Sequence, residues 1–390
     1  MMEAGKFNIS KKTGFLAEKL SQKLPGDYFN DWELAVRNLP QLTRDRTVKA
    51  TIDALPEKEF STRTLSTEAE WQWAYVIVSY LGQAYIFDSV EDDKGSVMRL
   101  PSKLAIPWHA TARHLGVLPA ASYAAFVLYN YTLKDPAKPI EAGNLQPIVT
   151  FTGSSSESWF YIVHILEEMA AAPGLDAIMT AYQAISSMDN ECLARCLKTI
   201  AESLYCMKNT LKRMYDQCTP TYFYNKLRPL FSFPESGLIY SGVSTEVKKY
   251  SSVSGAQDSA IPAFSTFLGV KHGQEERELA DKFRLYMPAK HREFLEALDQ
   301  QPSVSSYVQE SGDVELIKQY DEAVGALASF RSQHVSLVTS YIINVKQRQG
   351  EQSNEEDKGT GGTPFMRFLK KVRDNTNVIK SSSYIHAEAS

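Results

Sequence analysis

Apolar residues recur along most of the chain in steps of three and four, the spacing of amphipathic helices. The longest such run is DVELIKQYDEAVGALASFRSQHVSLVTSYIINV. Its stripe reads Ile317, Tyr320, Val324, Leu327, Arg331, His334, Val338, Tyr341 and Val345 without a break. STEAEWQWAYVIVSYLGQAYIF places Ser66 and Glu68 to Glu70 ahead of a long apolar run, a helix start, and should be buried nearly all round. Ser154, with Glu157 three residues on, makes a capping-box pattern before SWFYIVHILEEMAAA. The piece from Leu175 to about Gln217 predicts one or two long amphipathic helices, ended by Thr219 and Pro220. EERELADKFRLYM and AKHREFLEALDQ predict two more, and Thr363 with Pro364 an N-cap and N1 pair for FMRFLKKVRD.

Prolines and glycines punctuate the rest. Pro25, Gly26, Pro40 and Pro56 divide residues 1 to about 60 into several short helices. Pro101, Pro107 and Pro119 mark off two helical stretches in RLPSKLAIPWHATARHLGVLPAASYAAFVLYNY. Strand signals are scarce, and QPIVTFTG is the main one. A domain boundary is placed there, giving a smaller, mostly helical portion at 1–146 and a larger one at 147–390. The Ser-, Gly- and Tyr-rich stretch from Ser232 to Ala260 predicts irregular loop, and EQSNEEDK has a linker's composition. No internal repeat is visible. The fold class expected is mainly α, in two helical domains.

Composition narrows the class without naming it. With 43% hydrophobic and 23% charged residues, collagenous, disordered and membrane classes drop out. Lys and Arg total 42 against 46 Asp and Glu, so no basic excess exists to meet nucleic acid or an anionic membrane, and neither is expected as a partner. Cys192, Cys196, Cys206 and Cys218 lie in one stretch that reads as helix, with no CxxC pair. They fit a reducing compartment, and the first residues lack the apolar region of a secretory signal, so a cytoplasmic location is expected.

Two polar residues, Arg331 and His334, occupy consecutive positions of the longest apolar stripe. A buried cation and a buried imidazole are unfavourable by several kcal/mol for the charge unless something pairs with them. An Arg–carboxylate pair and a hydrogen-bonded core histidine would suffice, and on pattern alone that is the commoner outcome. A haem would serve both, since its propionates are anionic and its iron takes a neutral imidazole nitrogen. His164, one turn from Phe160 and Tyr161, is either core or a group facing the open side of a metal. Arg228, beside aromatics in TYFYNKLRPL, suits a bidentate grip on a carboxylate, the alternative being a surface ion pair. GTGGT at 359–363 lacks the lysine of a phosphate loop and fits better as a loop whose backbone approaches a ligand closely. His109, His114, His272, His291 and His386 show no metal spacing, and Cys192 with Cys196 reads as packing.

Together GTGGTPFMRFLKKVRD, RLYMPAKHREFLEAL followed by PSVSSYV, FRSQHVSLVTSYI, LPSKLAIPW, LPAASYAAFVLYNY and FTGSSSESWFYIV resemble the indoleamine 2,3-dioxygenase family over nearly the whole chain. The resemblance implies an all-helical haem b domain capped by a smaller helical one. The implied reaction inserts O₂ across the indole C2–C3 bond of L-tryptophan or a related indoleamine, giving N-formylkynurenine and needing an external reductant. By position it implies His334 as proximal iron ligand, Arg228 on the substrate carboxylate, and Phe223 against the indole. Tyr123, Val127, Phe160 and Tyr161 would line the distal pocket, with Ser254 and Gly255 near haem and substrate. Thr360 would sit in a mobile loop, 352–363, over the substrate amino group. Two departures stand out. His164 falls where mammalian members carry serine, and Ser265 falls where an aspartate would pair with Arg331, leaving a haem propionate as its simplest anion. The sister family of tryptophan 2,3-dioxygenases resembles this chain in placing a distal histidine against the indole N–H. A haem protein that binds O₂ with little turnover is the alternative, and a monomer or weak homo-oligomer is expected.

Overall fold

The computed structural model describes residues 4–89, 97–351 and 365–379. It is 65% helical, with a few two- and three-residue strands, as the periodicity predicts. Three short helices, α1 (Asn30–Arg37), α2 (Leu39–Asp45) and α3 (Val48–Asp53), pack beside α4 (Glu68–Ser89). Thr67 starts α4: its hydroxyl accepts from the Glu70 N–H at 3.3 Å, while the Glu70 carboxylate accepts from the N–H groups of Thr67 and Ser66. Every residue from Trp71 to Ile86 is buried, so α4 is the hub of this end of the molecule. Gly82 lets α5 (Ser102–Leu115) cross it closely, since a Cβ there would fall 2.2 Å from the indole of Trp108.

Prolines punctuate less than the sequence pattern implies. Helix α5 continues through Pro107, and the second stretch expected nearby is a single wide turn at Ala124–Leu128. Helix α6 (Ser155–Ser186) runs unbroken through Pro173 into the piece expected to begin at Leu175, and the break falls instead before α7 (Asn190–Lys212). Packing accounts for this. Gly174, next to Pro173, is met by Phe264 and Ser203 so closely that a Cβ would lie 2.7 Å from the Phe264 ring, and these contacts outweigh local helix propensity.

QPIVTFTG is the clearest departure from expectation. Only Leu145–Gln146 (β3) pairs, with Thr132–Leu133 (β2), while the other short pair, Met98–Leu100 (β1) with Leu238–Tyr240 (β4), runs parallel and crosses the division expected near residue 146. Two side chains take the place of a strand ladder for the following segment. Buried Asn130 accepts from the N–H groups of Ile148 and Val149 at 3.1 and 2.8 Å and donates to the Val149 carbonyl. Buried Glu157 reaches back past the helix start to the N–H groups of Phe151 and Thr152, both at 2.7 Å. It therefore does not close the expected box with Ser154, whose hydroxyl accepts from Ser156.

After α7 come two single turns, α8 (Met214–Gln217) and α9 (Pro220–Tyr222), so Cys218 lies outside the helix of the other cysteines, and all four are free thiols. Short α10 (Ala260–Phe267) leads to α11 (Gln274–Arg284), α12 (Ala289–Asp299) and α13 (Val304–Ser311). The longest periodic run becomes α14 (Val314–Val338), a wide turn at Thr339–Ile343, and α15 (Asn344–Arg348). The last described helix, α16 (Phe365–Asn377), lies along α14. GTGGT, Thr360 and the expected loop at 352–363 fall outside the described residues, as do Thr363 and Pro364. Among the described residues no helix is long and apolar enough to cross a membrane.

Candidate functional site

A cavity of about 400 Å³ opens between α6, α7 and α14, closed on other sides by the Phe223–Phe231 turns, the segment from Val253 into α10, α11 and α16. Its wall is mostly apolar. The stripe of α6 enters it as Phe160, His164, Glu167 and Glu168, and the stripe of α14 as Phe330, Arg331, His334 and Leu337. Steps of three and four put these residues on one face of each helix, which is why their convergence is legible in the sequence.

The two imidazoles differ. His164 Nδ1 lies 2.8 Å from the Phe160 carbonyl oxygen. A carbonyl only accepts, so Nδ1 carries the proton and Nε2 is left as a bare acceptor. Burial holds the ring below its ordinary pKa, keeping it neutral, although the Phe160 bond and the Asp258 charge oppose this. The ring of His334 makes no hydrogen bond with any described residue. Its pKa is pushed down to about 4, first by burial and then by the facing His164. A neutral imidazole with free nitrogens in an apolar cavity suits a metal of a flat macrocycle. No group of three or more His, Cys, Asp or Glu among the described residues offers a bare metal ion an alternative.

Aromatic rings line one side. Phe160 stacks on Phe223 with centroids 5.4 Å apart and planes at 25°, and Phe231 lies 5.6 Å from Phe160. Tyr123 stands edge-on to His164 at 6.2 Å, and its backbone N–H donates to Gln257 Oε1 at 3.0 Å, fixing the turn that carries Ser254 and Gly255. Val127, Ser254, Gly255 and Arg228 also reach the cavity, the Arg228 guanidinium lying 5.4 Å over the Tyr224 ring. Tyr161 does not. Its side chain points into the core, its ring 6.4 Å from Phe126, and its hydroxyl donates to Glu157 at 3.3 Å. On a helix, residue 161 faces some 100° away from residue 160.

Arg331 is buried and lines the cavity, but no carboxylate among the described residues pairs with it. Its Nη2 donates to Ser265 Oγ at 2.5 Å, and its Nη1 donates to the Val372 carbonyl at 3.1 Å and to Thr376 Oγ1. These acceptors are neutral, and burial pushes the guanidinium pKa down to about 9. A group of acids that the sequence pattern did not single out shares the same wall. Glu167, Glu168 and Asp258 line the cavity, and burial first, then the Asp258 charge, pushes both glutamates well above the usual carboxylate range. Their position one turn after His164 was the available signal. His272 and Glu276 line it too, and Lys371 on α16 pairs with Glu276.

These features define a class: a mainly helical protein whose central apolar cavity has neutral imidazoles on facing helices, His164 and His334, and is bordered by arginines. Comparison with known proteins gives the family. The profile described as "Indoleamine 2,3-dioxygenase" matches residues 3–379. The chain is 35% identical to "Indoleamine 2,3-dioxygenase 2" of Homo sapiens over 385 residues, 95% of this chain and 93% of that protein. It is 34% identical to "Indoleamine 2,3-dioxygenase 1" of Rattus norvegicus over 387 residues, 95% and 94% of the two chains. It is also 29% identical to "Myoglobin" of Haliotis madaka over 387 residues, 97% and 99%. The chain belongs to the indoleamine 2,3-dioxygenase family, a family of haem-dependent dioxygenases.

Proposed function

We propose that this protein binds haem b through His334 and uses O₂ to cleave the indole C2–C3 bond of L-tryptophan, giving N-formylkynurenine. The observation that carries the reading is the pair of unlike imidazoles facing one cavity, His334 with free nitrogens and His164 with its acceptor nitrogen exposed. Haem, when bound, supplies the redox chemistry with O₂, and the protein supplies orientation and electrostatics.

The chain's own residues would work as follows. Phe160 and Phe223, already stacked, offer flat apolar faces to an indole, and holding it in one orientation is where most of the protein's contribution to rate lies. Arg228 would hold the carboxylate at the end that does not react. His164 Nε2 would accept the indole N–H, so a substrate lacking that hydrogen leaves a buried acceptor unpaired.

The relative named "Myoglobin" favours a second reading, a haem protein that holds O₂ with little turnover. The His164 tautomer supports the first. O₂ storage gains from a hydrogen-bond donor on the open side of the cavity, and here the proton is committed to the Phe160 carbonyl. The test is a reductant-driven assay with L-tryptophan on protein of known haem content. N-formylkynurenine formed over many turnovers is the expected result. A haem-loaded protein that binds O₂ and releases no product supports the second reading instead.

A further inference from the structure

Helix α16 lies along α14 and closes one side of the cavity with Phe365, Phe368, Leu369 and Val372. Of its thirteen residues only Met366 and Thr376 are buried, whereas ten of the 25 residues of α14 are. Its apolar face looks into the cavity, where a bound ligand would cover it. Polar contacts tie it to its neighbours. Lys371 pairs with the buried carboxylate of Glu276, and Arg331 reaches across from α14 to the Val372 carbonyl and the buried Thr376 hydroxyl, itself bonded to Val372 at 2.9 Å. Three of the five guanidinium N–H groups are thus used on Ser265 and α16, while Nε is buried with no hydrogen-bond partner among the described residues.

We propose that α16 is the removable wall of the cavity, that Arg331 is the positioning residue that latches it to the helix carrying His334, and that a flat ligand enters and leaves by this side. A latch that combines a buried cation with neutral acceptors is strong enough to hold the wall and adds no second buried ion pair to the one between Lys371 and Glu276, whose lysine is half-exposed to water. It also lies three residues, about one helical turn, before His334, so seating the wall and setting the imidazole draw on the same segment of α14. The ligand part of the inference rests on the haem reading above; the latch itself does not.

The experiment uses the full chain without cofactor, followed by hydrogen exchange and mass spectrometry, in the natural sequence, Thr376→Val and Thr376→Ser. Removing one hydrogen bond to a charged group should speed amide exchange in 365–379 by about tenfold or more in Thr376→Val, with α6 and α7 unchanged. Thr376→Ser, which keeps the hydroxyl, should restore the natural rate. Equal exchange in all three overturns the latch, as does acceleration spread evenly over α6, α7 and α14. Arg331→Met, where it folds, should match or exceed Thr376→Val. In the second arm each protein is loaded with haemin, and its release to an excess of apomyoglobin is timed. Release several-fold faster from Thr376→Val is expected, and an unchanged rate alongside loosened α16 overturns this side as the ligand's path. Failure of every variant and the natural chain to take up haemin falls on the proposed function, and the exchange arm then decides the latch alone.

Discussion

The two faces of the cavity carry the same side chain in opposite states. On α6, His164 is tied to its own backbone through Nδ1, which fixes its tautomer and leaves one acceptor nitrogen with a set direction. On α14, His334 is tied to nothing described, and its neutral ring keeps both nitrogens free for another partner. An imidazole whose partner is supplied by the fold is suited to orient a ligand. One whose partner is missing is suited to become a ligand to metal. Burial treats both alike, holding each in its neutral form, so the difference comes from the backbone carbonyl one turn earlier on α6.

Removing the unpartnered ring should have the largest effect. In His334→Ala, haemin affinity should fall on the order of 100-fold or more, read from absorbance during titration, and product formation should cease. Retention of haemin with an unaltered spectrum and affinity would show that the free imidazole on α14 is only a cavity lining, and the contrast between the faces would lose its meaning.

The partnered ring should act on selectivity instead. His164→Ser should retain haemin binding, because α14 is untouched. The natural protein should reject 1-methyl-tryptophan, whose indole nitrogen has no hydrogen to give. In His164→Ser the ratio of kcat/KM for tryptophan over its 1-methyl analogue should fall on the order of 10- to 100-fold, the range for pairing a buried acceptor. Equal discrimination by both proteins would leave His164 as a spacer.

What the sequence disclosed follows the range of the interactions. Arg331 and His334 stood out because a period of three and four, sustained for eight turns of apolar residues, is broken chemically and not geometrically. Helix α4 was legible for the same reason, its burial being written in an unbroken apolar run and its start expected from Ser66 and Glu68 to Glu70, although the capping hydroxyl is that of Thr67. Pro107 and the separation before Leu175 misled because contacts far along the chain outweigh local signals, as with Phe264 against Gly174. The same holds for QPIVTFTG, whose backbone groups are met by Asn130 and Glu157 rather than by a strand. The partners of Arg331 were least legible of all, since Thr376 lies 45 residues away and carries no charge to announce the pairing. Tyr161 was placed in the cavity by its neighbour's merit, although adjacent residues on a helix do not share a face.

A core imidazole shows what the bland outcome looks like and supplies the smallest of the expected effects. His291 on α12 is fully in the core, its ring 4.4 Å from Phe15 and its Nδ1 3.4 Å from the Ser259 hydroxyl. Burial, aided by the charge of Arg292, pushes its pKa down to about 3 from an ordinary 6.5. The sign follows from where the proton binds. Below about 6.5 the unfolded chain takes up a proton that the folded protein refuses until about 3, so the stability due to this group is whole above 6.5 and is lost as pH falls between those values. The slope for one proton is about 1.4 kcal/mol per pH unit, which for a chain of this size moves Tm on the order of 1–2 °C per unit. Melting curves of the natural protein and His291→Gln, without cofactor, at intervals from pH 7 to 4.5 should therefore converge as pH falls, the other titrating groups being common to both. Parallel curves would mean that water reaches this ring in the folded state. The distinction between a histidine sealed in the core and those that face a cavity would then need another basis than burial.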